Sequence, residues 1–228
     1  MSLKDLFVSL RPGFDSVSLA EKFRSAAAAM FSMLLLGVAL RWLPDGGHPL
    51  LLFASMAAAS VLLYVLPHSP MSQPWPLLVG NLLSGLVGWL CSMLISDPVF
   101  AAAIAVGLAI FLMHLTHSLH PPGAATAMIM VLNAEQIQHH GWLWVGGAVL
   151  ANAVFSLLLA LVINNLIHAG RYPVLHHQLP PPSAAPACEL ARADIEWALK
   201  KMEGVIDVDE DDLLEIYRLA DEHARGRG

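Results

Sequence analysis

Apolar residues in this chain come in long unbroken blocks separated by short polar punctuation, with neither strand-like alternation nor a narrow amphipathic stripe. The first uncharged block, Ser25 to Leu40, is bracketed by Arg24 and Arg41. Its sixteen residues make about 24 Å of helix, short of a ~30 Å hydrocarbon core. Both arginines can snorkel, so a span over 22–42 is predicted. Pro44-Asp-Gly-Gly-His48-Pro49 marks a turn, and Leu50 to Leu66 is a second block with a small-residue middle that permits close helix contact. The stretch Pro67 to Pro76 holds four prolines and is predicted to be non-helical. Leu77 to Ser96 is a third span. Asp97-Pro98 starts a fourth helix, with Asp as cap and Pro in the first position, running to about Leu119. A short helix is expected from Pro121 to Leu132, twelve residues or about half a membrane. Polar residues 133–141 precede a long span from Trp142 to Ile167, anchored by Trp142 and Trp144.

Composition explains why these blocks belong in lipid. Of the 228 residues, 57% are hydrophobic and 13% charged, against about 45–50% and ~25% in soluble proteins. No Lys or Arg lies between Arg41 and Arg171, where the only acids are Asp45, Asp97 and Glu135. The net charge of −6 belongs to residues 173–228, which carry six basic and twelve acidic side chains. An acidic tail argues against nucleic acid as a partner. Cys91 sits in an apolar block and Cys188 in a polar stretch, so no disulfide framework is implied. The N-terminal segment lacks the apolar core of a cleavable signal, and insertion is expected to use an internal segment. Lys4, Arg11, Lys22 and Arg24 favour a cytoplasmic N-terminus; a cytoplasmic tail after Arg171 then requires an even number of crossings.

The fold class expected is an all-α, polytopic membrane helical bundle: four full spans plus two broken or re-entrant His-Pro helices, followed by a short cytoplasmic helical hairpin. His48-Pro49 followed later by Gly80-Asn-Leu-Leu-Ser is echoed by His120-Pro121 and Gly147-Ala-Val-Leu-Ala-Asn, which suggests a two-fold internal repeat. Discontinuous helices meeting near the midplane are a transporter arrangement. The expected domains are a cytoplasmic segment 1–21, a transmembrane domain 22–172, a Pro/Ala-rich linker 173–188 and an acidic helical tail 189–228. In the tail, Glu189 to Glu203 and a second segment from about Asp209 read as amphipathic helices too small to stand alone.

Candidate chemistry concentrates at His120-Pro121-Pro122-Gly123-Ala124-Ala125-Thr126. Tandem proline suits a helix start, which places unpaired N–H groups and the positive end of a helix dipole at membrane depth. Such a terminus suits an anion or polar neutral solute; Gly123, Ala124 and Ala125 leave the backbone accessible, and Thr126 offers a hydroxyl. The plain alternative is a broken helix whose amides are capped internally. His48 before the second block is a weaker version of the same signal. His114, His117 and His120 are spaced so that the first pair shares a helical face, suggesting proton handling or solute contact, or hydrogen-bonded structural histidines, rather than metal ligation, because no Asp, Glu or Cys accompanies them. Thr116, Asn81 and Ser84 complete the candidate pathway residues. For Asn81, Ser84, Asn152, Asn164 and Asn165, helix–helix hydrogen bonding is the default role. No nucleophile–base pair, phosphate loop or dinucleotide fingerprint points to an enzyme, and no cofactor or metal is implied.

At these residues the sequence resembles the HPP family of integral membrane proteins. The likeness includes Ser69-Pro70 with Gln73-Pro74, Gly80 with Leu83-Ser84, Leu115-Thr116-His117 leading into His120 to Ala127, Asn164-Asn165-Leu166, and Arg171-Tyr172-Pro173. It departs at Asn81, where histidine often follows the glycine, and at Ala125, where glycine is common. The resemblance implies a domain usually described as four transmembrane helices, with nitrite transport in plant and cyanobacterial members and cytoplasmic CBS domains in many bacterial ones. The chain stops where such domains would begin, as a truncated form or a member lacking them would. The expected function is therefore a permease or channel for a small monovalent anion, nitrite first. His117 and His120 would couple it to protons, in a homo-oligomer of the cell inner membrane with both termini cytoplasmic. The other readings are a transporter of a neutral or cationic solute, and a membrane-anchored sensor or scaffold signalling through its tail.

Overall fold

The computed structural model describes residues 18–41, 53–137, 141–167, 172–174 and 210–226, and every regular element among them is helical. In chain order these are α1 (Leu19–Arg41), α2 (Phe53–Val65), α3 (Pro76–Leu94), α4 (Pro98–Leu115), α5 (Pro121–Leu132), α6 (Ala134–Ile137), α7 (Trp142–Ile167) and α8 (Glu210–Arg225). Helices α1, α3, α4 and α7 are long and apolar enough to cross a membrane. The 13 residues of α2 and 12 of α5 reach only about 18–20 Å, too short for a full span. The lengths thus run long, short, long, and again long, short, long. His48 and the first expected tail helix lie outside the described residues.

Local chemistry explains the boundaries. Asp97 caps α4 by accepting from the Val99 and Phe100 amides at 2.9 and 3.0 Å, with Pro98 in the first helical position. The proline-rich stretch after α2 corrects the expectation of non-helical chain. Pro70–Ser72 form a 3₁₀ turn capped by Ser69 Oγ, and α3 opens at Pro76 with a π-helical turn to Gly80. Proline is tolerated in a first turn because its missing N–H would have been unpaired there.

A second correction concerns the end of α4. It stops at Leu115 rather than near Leu119, because His117 adopts a left-handed backbone, φ 50°. The Ser118 amide donates to Met113 O (2.9 Å) and the His117 amide to His114 O (3.3 Å), the paired bonds of a Schellman cap. His117 therefore lies beyond the helix and shares no helical face with His114; both are exposed.

Residues Phe23–His177 form one compact unit. Its core rests on small residues. Ala101, Ala105, Ala109 and Met113, one per turn of α4, are fully buried with Val87 and Cys91 of α3 and Ala127 and Val131 of α5. The opposite side of α4, including Phe100, Ile104 and Phe111, is exposed. Gly88 of α3 lies so close to the Ala127 backbone that a Cβ would clash with its carbonyl oxygen, which is how the two helix axes come together.

Contacts also fix directions. The pairs Gly80–His120, Asn81–Thr126 and Gly88–Ala127 make α3 and α5 parallel. Ser156–Met56 and Asn164–Leu63 make α7 and α2 parallel. Each short helix thus lies along the closing long helix of the other half. Gly85 meets Val149, while Leu77 shares a cluster with Ala160 and Ile163, so α3 and α7 are antiparallel. The equivalent closing helices of the two halves run in opposite directions, the relationship found in inverted repeats.

Helix α8 belongs to the other unit. Arg218 bridges Glu215 (2.7 Å) and Glu222 (2.5 Å), and Arg225 pairs with Asp221. The Arg218 guanidinium holds the Glu215 carboxyl below its usual range.

Candidate functional site

The start of α5 is built around a fully buried histidine. His120 is 0% exposed and caps α5 with an extended backbone, its ring reaching across to the Ser69–Gln73 turn. Its Nδ1 lies 2.9 Å from Met71 O. A carbonyl only accepts, so Nδ1 must carry a proton and donate it. In the neutral ring Nε2 is then an acceptor, and it has no hydrogen-bond partner among the described residues.

The turn that receives His120 is itself fastened from several sides. Ser72 Oγ donates to Leu62 O and Leu66 O, and the Tyr172 hydroxyl donates to Ser72 O at 2.7 Å. Gln73 donates to Pro67 O and Ser69 O and accepts from the Val174 amide. Asn165 donates to Tyr172 O, and Trp75 Nε1 donates to Thr116 O. Ser69-Pro70, Gln73-Pro74, Asn165 and Tyr172-Pro173, scattered over a hundred positions, converge here to hold one ring.

Around α5 the packing is tight. A Cβ on Gly123 would stand 2.8 Å from Ser84 Oγ, and one on Gly80 would stand 2.9 Å from His120 Cβ. Ser84 Oγ donates weakly to Met113 Sδ at 3.6 Å. Thr126 Oγ1 donates to Asn81 Oδ1 at 2.8 Å, and Asn81 Nδ2 donates to Leu77 O, so this fully buried pair is satisfied within the bundle. Pro121 and Pro122 lack N–H groups, and the Gly123 amide donates back to His120 O at 2.8 Å. The helix start therefore offers fewer free donors than its position suggested. Pro122 and Gly123 are buried, Ala124 is half-buried and Pro121 is exposed.

The candidate residues thus divide. His120, Pro122, Gly123, Thr126, Asn81 and Ser84 come together at the α3–α5 contact. Thr116 and His117 sit on the exposed turn beyond α4, where Thr116 Oγ1 lies 2.7 Å from Ser118 Oγ. Sequence reasoning missed the Met71 carbonyl, which no side-chain motif announces. It also treated Asn152 as one of several bonded asparagines. Asn164 does donate to Leu63 O (2.9 Å), but Asn152 is 2% exposed with neither Nδ2 nor Oδ1 partnered among the described residues. Leaving a buried polar group unpaired costs about 1–3 kcal/mol.

Residues 14–173 match the family model described as HPP, transmembrane region. Two transmembrane proteins of Dictyostelium discoideum are 40% and 39% identical to the chain over 127 residues, 54% of its length. The match takes in 44% and 40% of their own lengths, so the chain spans less than half of these relatives. No solved structure matches the chain.

Proposed function

The chain belongs to the HPP transmembrane family and is a multi-pass membrane protein, and from that premise we propose that it is a permease or channel for a small monovalent anion, nitrite first. The observation that carries the reading is the free Nε2 of His120, fully buried at the start of a half-length helix. An acceptor nitrogen meets an anion only with a proton between them. At membrane depth a lone charge of either sign is costly, whereas an imidazolium–anion pair, or the neutral acid hydrogen-bonded to Nε2, carries no net charge. Anion and proton therefore arrive together, which makes the site a proton-coupled one. With no Lys or Arg between Arg41 and Arg171, nothing holds the anion permanently, and weak binding with fast passage follows.

In this reading His120 makes the contact and Pro121 and Pro122 set the break in the helix. Gly123, Ser84, Asn81 and Thr126 hold α3 against α5, and Ala124, Thr116 and His117 belong to the approaches. Two halves of opposite direction around two short helices suit alternating access. The protein would work in the cell inner membrane with both termini cytoplasmic, as a homo-oligomer.

The test is nitrite uptake into liposomes holding the purified chain, driven by a pH gradient, with chloride, nitrate and formate as competitors. Saturable uptake that follows the proton gradient supports the reading. Flat traces for every anion overturn it in favour of the sensor or scaffold, or of a transporter of a neutral or cationic solute.

A further inference from the structure

On α7 one face carries Val145, Val149, Asn152, Ser156 and Ala160, all buried, at the three- and four-residue spacing of a single helix side. Val149 packs on Gly85 of α3 beside the Thr126 methyl group; on the next turn but one, Ser156 Oγ donates to Met56 Sδ of α2. Asn152 lies between these two contacts. Because α7 and α3 are antiparallel, it stands about one turn past Gly85 toward Asn81, the level of the Asn81–Thr126 pair. The amides and hydroxyl flanking it in the bundle are partnered, Asn81 with Leu77 and Thr126, Ser156 with Met56 and Asn164 with Leu63, while Trp89, packed beside Val145 and Val149, leaves only its donor Nε1 unpartnered among the described residues. The Asn152 amide alone among them has both its donor and its acceptor unpartnered, at 2% exposure. Lipid cannot reach a side chain so enclosed, and lipid tails would offer it no hydrogen bond.

We infer that Asn152 is a solute-contacting residue, a second polar stop on the permeation route besides His120, whose Nδ2 donates to an oxygen of the small oxyanion. The inference deepens the anion-permease reading and rests on it for the identity of the solute. An amide suits this step. It supplies donors without charge, so it loosens an anion from its water and lets it go again. Its own carbonyl takes a proton-bearing partner, either water or the protonated form of the solute.

Two measurements on the full chain in liposomes test this. Asn152→Leu removes an unpartnered amide at similar volume, so the variant should melt at the same or a higher temperature while nitrite uptake falls roughly tenfold or more, the factor for one lost contact. Unchanged uptake in a folded Asn152→Leu protein overturns the inference and leaves the His120 reading standing. In a Cys91→Ala, Cys188→Ala background, Asn152→Cys should react with a small, negatively charged methanethiosulfonate added in water, and nitrite should slow that reaction. Leu158→Cys on the exposed face of α7 should not react. A thiol at 152 as unreactive as the one at 158 overturns the inference. If the wild type carries no nitrite yet the thiol at 152 reacts, the solute assignment fails and the polar route through Asn152 stands.

Discussion

His120 donates from Nδ1 to the carbonyl oxygen of Met71, 49 positions earlier in the chain, at 2.9 Å. That bond divides the ring's two nitrogens by role. Nδ1 is spent on holding the helix start against the Ser69–Gln73 turn, and Nε2 is left without a hydrogen-bond partner among the described residues.

The division can be tested by atom position. Asparagine places an amide N–H near the Nδ1 position and nothing near Nε2. His120→Asn should therefore keep the melting temperature within a few degrees and lose nitrite uptake roughly tenfold or more. His120→Ala should lose both, because Met71 O then loses its donor and the buried space of the ring is left empty. Uptake in His120→Asn equal to wild type would show that Nε2 plays no part.

The Thr126–Asn81 bond joins α5 to α3 inside the membrane domain. Thr126→Val keeps the shape and removes the donor. A double-mutant cycle with Asn81→Leu, read from thermal unfolding in detergent, should give a coupling of about 0.5–1.5 kcal/mol, the range for hydrogen bonds between membrane helices. Additive effects would mean the pair is not coupled.

Gly88 and Gly107 should respond oppositely to the same change. A Cβ at Gly88 runs into the Ala127 backbone, while one at Gly107 meets nothing within 4 Å. Gly88→Ala should destabilise by about 1–3 kcal/mol through forced separation of α3 and α5. Gly107→Ala should be neutral or stabilising, since alanine favours helix by up to about 1 kcal/mol. The order of their unfolding temperatures settles the matter.

His117 occupies a backbone conformation that costs a side-chain-bearing residue about 1 kcal/mol. His117→Gly should raise or preserve thermal stability, and His117→Val should lower it, because a β-branched residue fits that conformation worst. If His117 also relays protons on the approach to His120, His117→Gly will flatten the dependence of uptake on the proton gradient without harming the fold. An unchanged dependence assigns His117 to capping alone.

In α8, Arg218 lowers the Glu215 carboxyl relative to the unfolded chain, so the pair adds helix stability above the ordinary carboxylate range and loses it as pH falls through the lowered value. The groups are partly exposed, and the effect is a few tenths of a kcal/mol at most. A spin label at Tyr217 should gain mobility on acidification, and Glu215→Gln should remove that pH dependence.

Much of the architecture was legible in the sequence because it depends on local signals. A proline in a first helical position, an aspartate cap and the length of an uncharged run act within a few residues. They placed α4 at Pro98, α5 at Pro121–Leu132 and α7 at Trp142–Ile167. The end of α4 was missed because a histidine stands in the left-handed position where glycine is the usual marker. The site was legible only in outline. Asn152 and Asn164 sit on the same apolar helix and look alike in sequence, yet Asn164 is bonded to Leu63 and Asn152 to no described residue. Hydropathy and proline chemistry act along the chain, and by themselves determined a membrane bundle with a broken helix at His120. Whether a buried polar atom is satisfied depends on partners that packing brings from 30 to 100 residues away. Tertiary structure alone therefore decided that Met71 takes one nitrogen of His120, that Asn81 takes the Thr126 hydroxyl, and that Nε2 and the Asn152 amide stay open.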